Sequence, residues 1–392
     1  MFWFPQKRIF LDYASATPVL PEVKKKMDKY WSKDFYNPRA IYKEASVIKE
    51  EVEEARKSVA RALGVSFSGI IFTASGTESD NLAILGTFEI AKEIFKKPHI
   101  IISAIEHPAV ALAAEEVVRR GGEMSVLGVD EEGRVSPEAL KKLLKKNTFL
   151  VSVGLANSEI GTIQPLSKIG RILREYRKDN ESPYPYLHTD ASQAPNYLDV
   201  TLESPNIDLL TLDGSKIYGP KGVGILATRK GVKIHPIIFG GEQEGGRRSG
   251  TLNPSLIVGF TSALEAAIKD REKESERLKV LQKYFIEQIY QHVPKAVING
   301  SLEHSLPNLI SVSLPNTLSE FVLLKLDKEG VMVSVGSACS SDGLVSGSEV
   351  IKALGKHQLA ESTLRFSFGR QTSLSEVKRA AKIFCKVAKS LL

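Results

Sequence analysis

Lys216 lies in Asp213-Gly214-Ser215-Lys216-Ile217-Tyr218-Gly219-Pro220-Lys221-Gly222, a turn rich in glycine and proline. Upstream, the short apolar run Tyr186-Leu187-His188 ends in Thr189-Asp190-Ala191-Ser192-Gln193. A lysine amine pinned in a tight turn condenses with an aldehyde. An acid at a strand end keeps a pyridine nitrogen protonated, so that the ring accepts electrons. Lys216, Asp190 and Gln193 together suit pyridoxal 5′-phosphate (PLP); taken singly, they also fit a surface lysine and a strand-end cap.

Five further segments carry polar groups at strand ends. Ala74-Ser75-Gly76-Thr77-Glu78-Ser79 joins a strand to a helix, where free N–H groups and small residues make either a phosphate site or a simple N-cap. His107, in Glu106-His107-Pro108, either stacks on a flat ring and carries protons or has no role. Asn157, in Ala156-Asn157-Ser158-Glu159-Ile160-Gly161-Thr162, either donates to a ligand oxygen or closes an Asx turn. The glycine-rich stretch from Phe239 to Thr251 combines Arg247, Arg248, Ser249 and Thr251, which suits an anion better than a linker. Arg365, in Leu364-Arg365-Phe366, matches a substrate α-carboxylate or a structural ion pair.

Cys339 follows a strand within Ser334-Val335-Gly336-Ser337-Ala338-Cys339-Ser340-Ser341-Asp342-Gly343, a small-residue loop that suits an exposed nucleophile. Cys385, in Ile383-Phe384-Cys385-Lys386-Val387, reads as buried and structural.

These motifs need a scaffold that brings strand ends together. Strand patterns at Ile70–Thr73, Ile100–Ser103, Phe149–Val153, Tyr186–His188, Leu209–Leu212 and Val223–Thr228 alternate with helix patterns over 44–63, 77–95, 108–120 and 166–177. Such alternation predicts an α/β fold with a mostly parallel sheet covered on both faces, and ligands beyond the carboxyl ends of its strands. A long helix over 262–292 then leads to a smaller α+β unit with strands at 309–314, 331–335 and 364–368 and a final helix from 375. The expected division is a large domain over 15–258 and a small one from 1–14 and 259–392.

The bulk properties narrow the class. The 392 residues are 42% hydrophobic and 25% charged, an ordinary globular composition. No apolar run approaches a membrane span, and the apolar start before Lys7-Arg8 is too short for a signal peptide. The net charge of +7 is spread along helices, so direct nucleic-acid binding is not expected. Two cysteines exclude a disulfide framework and agree with a reducing, cytoplasmic setting.

Taken in order, the segments resemble the cysteine desulfurases, PLP enzymes of the class V aminotransferase group. The likeness runs from Leu11-Asp12-Tyr13 to Gly369-Arg370-Gln371-Thr372 and is densest at Asn157 to Thr162, Lys216 to Gly222, Arg248 to Leu252 and Gly336 to Cys339. It implies a fold-type I PLP transferase, normally a homodimer, with no metal. Lys216 would be the Schiff-base lysine, Asp190 would pair with the pyridine nitrogen, Gln193 with the ring phenolate, and His107 would stack on the ring. Gly76, Thr77, Ser215 and, across the subunit boundary, Thr251 would hold the phosphate. Asn157 and Arg365 would fix the substrate carboxylate, and Cys339 would accept sulfur from L-cysteine, leaving L-alanine. The Ser337-Ala338-Cys339 loop is similar to the branch serving iron–sulfur assembly and transfer-RNA thiolation, with a sulfur-acceptor or scaffold protein as partner.

The chain departs from the pattern at two places. The family carries Ser-Gly-His-Lys where Asp213-Gly214-Ser215-Lys216 stands. Ser215 still donates to a phosphate, whereas an ionised Asp213 repels one, so Asp213 is expected to turn away or the phosphate to be held less tightly. Asn37-Pro38-Arg39-Ala40-Ile41-Tyr42 replaces Asn-Pro-Ser-Ser followed by histidine. Two other readings follow: a PLP lyase or aminotransferase for another amino acid, such as selenocysteine, or a low-activity homologue that binds partners.

Overall fold

The computed structural model describes residues 8–203, 206–336 and 347–391. The chain opens with β1 (Ile9–Phe10), α1 (Pro21–Met27) and α2 (Lys43–Leu63). It then alternates through β2 (Ile70–Thr73), α3 (Gly76–Lys92), β3 (His99–Ser103), α4 (Pro108–Arg119) and β4 (Glu123–Leu127). Next come α5 (Pro137–Leu143), β5 (Thr148–Ser152), α6 (Leu166–Asp179), β6 (Tyr186–Asp190), β7 (Leu209–Asp213) and β8 (Gly224–Thr228). After α7 (Pro254–His292) lie β9 (Val297–Asn299), β10 (Leu309–Ser313), α8 (Ser319–Lys328), β11 (Val331–Met332) and β12 (Ser334–Val335). The chain closes with α9 (Glu349–Ala353), β13 (Thr363–Ser367) and α10 (Leu374–Lys389).

The main sheet has seven strands in the order β2-β8-β7-β6-β5-β3-β4. All its pairings are parallel except those of β8, which runs antiparallel to β2 and β7. The pleat sorts the apolar runs between two layers. Ile101, Val151, Leu187 and Leu210 face the core shared with α2, α6 and α7. Ile100, Ile102, Leu150 and Leu209 face α3 and α4. Both faces are therefore covered, and the polar strand ends are left at one rim.

The second core packs α7, α8 and α10 on the antiparallel sheet β12-β13-β10-β9. β1 joins it by pairing in parallel with β11, which buries Ile9 and Leu11 there. The segment Val331 to Val335, expected as one strand, is split at Val333, and its halves enter different sheets.

Local signals explain the helix ends. Gly64 stops α2 in the left-handed conformation (φ 68). Ser75 caps α3 through the Glu78 N–H, and Ser373 with Glu376 forms a capping box on α10. α7 starts at Pro254 rather than 262, because Asn253 caps it through Leu256 N and Pro254 takes the first turn. Its first half gives Ile257, Phe260 and Leu264 to the first core, and its second half gives Leu278, Leu281 and Phe285 to the other.

Candidate active site

Lys216 closes a 3-10 turn, Gly214–Lys216, at the end of β7. The turn is braced on all sides. Thr17 donates from both N and Oγ1 to Ser215 O, at 2.9 and 2.8 Å, and accepts from Tyr218 N at 2.8 Å. Asn196 Nδ2 donates to Lys216 O at 2.9 Å. Gly214 is required by close approach, since a Cβ there would stand 2.7 Å from Pro220 O.

The Lys216 amine donates to the carbonyls of Ala14, at 3.1 Å, and Ser15. Gln193 Nε2 donates to the same Ala14 carbonyl at 2.9 Å. Asp190 ends β6, and its Oδ1 accepts from Ser192 N at 2.9 Å. Two of the three residues that suggested the chemistry, Lys216 and Gln193, thus meet on one N-terminal carbonyl that no sequence pattern had marked, while Asp190 holds the turn after β6.

The start of α3 forms the second part. Gly76 N donates to Asp213 Oδ2 at 2.9 Å, while Asp213 Oδ1 accepts from Ser215 N at 2.8 Å and from Ser215 Oγ at 2.5 Å. Asp213 does not turn away from the helix start; it binds it. Ser192 Oγ is buried there with no hydrogen-bond partner among the described residues. Thr77 is exposed on the first turn. Thr251 is exposed on the chain preceding α7. The glycine-rich segment is anchored by Arg248, which pairs with Glu78 (Nε–Oε1 2.7 Å), and by the buried Glu244.

The third part follows β3 and β5. His107 caps α4, its Nδ1 accepting from Ala109 N at 3.1 Å. A neutral ring therefore carries its proton on Nε2. Glu106 beneath it accepts from Gly154 N at 2.9 Å and from Ser103 Oγ, and burial raises its carboxyl to about 7. Asn157 closes an Asx turn, Oδ1 accepting from Glu159 N (2.8 Å) and Ile160 N (3.0 Å) while Nδ2 donates to Ile105 O (2.9 Å). Arg365 pairs with Asp12 (2.7 Å) and donates to Ser158 O (3.0 Å), and its Nε has no hydrogen-bond partner among the described residues.

Sequence reading passed over Glu106, Glu159, Asp80 and His188. Asp80 lies on the buried side of α3, 3.6 Å from His188 Nε2, and its carboxyl is raised by burial and then by the Asp190 charge. Burial lowers His188 to about 3, so its ring is neutral. The signal available was Ser79-Asp80 beside Leu82-Ala83 in a helix with no polar face to spare. Cys339 lies outside the described residues. Cys385 is buried, and burial pushes its thiol up.

The Lys216 amine, the Asp190 carboxylate and the N–H and hydroxyl groups at the start of α3 all end or follow strands of the one main sheet. The arrangement can hold a flat ligand that is anionic at one end and bears an aldehyde near the amine. No helix among the described residues is long and apolar enough to cross a membrane.

The sequence matches the aminotransferase class-V family over residues 9–380. It is 40% identical to a cysteine desulfurase IscS of Dictyoglomus turgidum over 98% of this chain and 96% of that protein. Among solved structures, a NifS-like protein superposes with a TM-score of 0.90 at 33% identity, covering 98% of this chain and all of the other. SspA, solved in complex with cysteine, superposes with a TM-score of 0.78 at 32% identity, covering 92% and 98%. The chain belongs to the cysteine desulfurase family of class-V aminotransferases.

Proposed function

We propose that this chain takes sulfur from L-cysteine with PLP as cofactor, leaving L-alanine and a persulfide on Cys339. Its residues fit that cofactor: the unpartnered Ser192 Oγ and the start of α3 suit a phosphate, Asp190 a pyridine nitrogen, and Lys216 an aldehyde. When bound, PLP supplies an electron sink for the charge left at the substrate Cα.

Lys216 would hold the cofactor through its aldehyde, and its Nζ would move the proton at the substrate Cα. Asp190 would keep a proton on the ring nitrogen, and Gln193 would donate to the ring oxygen. His107, with Nδ1 committed to the α4 cap, moves a proton through Nε2. Arg365 and the remaining N–H of Asn157 hold the carboxylate, with Arg365 shared with Asp12. The Cys339 thiolate attacks the substrate sulfur: the Cβ–S bond breaks, an S–S bond forms, and Cβ takes up a proton. The two sulfur atoms together give up the two electrons that Cβ gains, so neither an external oxidant nor an external reductant enters.

The enzyme would work as a cytoplasmic homodimer, with Thr251 acting across the subunit boundary. Its persulfide would pass to a sulfur-acceptor or iron–sulfur scaffold protein. The observation that carries this reading is the meeting of Lys216 and Gln193 on the Ala14 carbonyl, with Asp190 at the end of the strand before Gln193, in a chain of this family. The test is alanine release from L-cysteine by PLP-loaded wild type, Cys339→Ser and Lys216→Ala. Alanine from the wild type and almost none from either variant is expected. A C339S protein as active as wild type would move the reading to another lyase or an aminotransferase.

A further inference from the structure

We propose that Asp213 is a built-in competitor for the cofactor phosphate, so that this chain holds PLP more through its ring and Lys216 than through its phosphate. The inference rests on the PLP reading above. α3 is a 17-residue helix whose Glu78 N is capped by Ser75 Oγ, and whose Gly76 N is already held by Asp213 Oδ2 at 2.9 Å. Ser192 Oγ, only 8% exposed and unpartnered, stands 3.3 Å from where a Gly76 Cβ would be. That hydroxyl marks the spot as built for an anion, and the carboxylate shares it.

Asp213 is also held in place. Its Oδ1 accepts from Ser215 N and Oγ, and its backbone pairs with Gly224 of β8. The ionisable groups on the elements packed around it are Glu78 and Asp80 on α3, Asp190 on β6 and Lys216 on its own turn. Arg248 is engaged by Glu78, and Lys216 by the carbonyls of Ala14 and Ser15. A phosphate dianion entering here meets a fixed negative charge and loses one donor to it.

The test is a cycle over ligand and residue: PLP and unphosphorylated pyridoxal, each titrated by absorbance and fluorescence onto wild type, Asp213→Asn and Asp213→Ser. Asn preserves shape if the smaller serine disturbs folding. In either variant PLP should bind about tenfold tighter or more, while pyridoxal stays within about twofold. Inorganic phosphate, read by the rise in Tm, should stabilise the variants more than the wild type. Equal shifts for PLP and pyridoxal, or weaker PLP binding in both variants, would overturn this inference alone. No PLP binding and no borohydride-trapped adduct at Lys216 in any of the three proteins would overturn the PLP reading and this inference with it.

Discussion

Glu244→Ala is the perturbation whose cost the structure defines best. The carboxylate has no exposed surface and accepts from Arg56 Nη1 (2.7 Å), Arg56 Nη2 (2.6 Å) and Phe72 N (2.9 Å). It ties the glycine-rich segment to α2 and β2. Removing it leaves a guanidinium that is 9% exposed, with Ile70 O and a 3.3 Å contact to Glu53 as its hydrogen-bond partners. An uncompensated buried charge costs about 3–5 kcal/mol. The Arg56→Met, Glu244→Met double variant removes both charges and leaves only neutral groups unmet, the Ile70 carbonyl and the Phe72 N–H, whereas E244A leaves that same N–H and the buried guanidinium. Urea unfolding should therefore rank wild type above the double variant, and the double variant above E244A. Limited proteolysis should cut E244A first between residues 239 and 251. An E244A protein within about 1 kcal/mol of wild type, or a double variant as unstable as the two singles summed, would refute the argument.

Two other perturbations probe the site and its surroundings. A Cβ on Gly224 would stand 2.5 Å from Ser75 C and 2.6 Å from Ser75 O, so Gly224→Ala must displace the Ser75-Gly76 turn by about 1 Å. PLP affinity should fall about tenfold or more by titration, and unchanged affinity would show that the turn yields freely. Burial raises Glu159 to about 7 from 4.5, so the folded state binds that proton more tightly than the unfolded one. Its stabilisation is complete below 4.5 and lost as pH rises through 7. Glu159→Gln keeps the 2.6 Å bond from Ser348 Oγ, so its stability relative to wild type should rise between pH 4.5 and 7 and level off above. A difference flat across that range, from urea midpoints at four pH values, would show that Glu159 does not titrate there.

Much of the site was legible because chemistry and position coincide in sequence. Asp190 and Gln193 flank a strand end, Lys216 sits in a Gly/Pro turn, and Ser75-Gly76 opens a helix. What escaped depends on long-range contacts. β8 reads as an apolar run with no sign of its direction, yet it is the strand that reverses. β4, at the sheet edge with only Leu127 fully buried, lacks the continuous apolar run of its neighbours. The Ala14 carbonyl could not be foreseen, because every residue offers one and only folding selects this one. The orientation of Asp213 was likewise open until the start of α3 stood beside it, more than 130 positions away in the chain.

The 39 residues of α7 form one shaft, roughly 58 Å long at about 1.5 Å per residue, gripped at both ends. Phe260 and Leu264 sit in one core, Leu281 and Phe285 in the other, and Arg277 clamps the carbonyls of Gly369 and Thr372 between them. The two cores are thus locked in angular phase. Each residue inserted between them would rotate one core against the other by about 100°, whereas a change of seven residues nearly restores the phase. The length of this stretch is therefore fixed more tightly than its composition: its exposed side chains are free to vary, but its residue count is not.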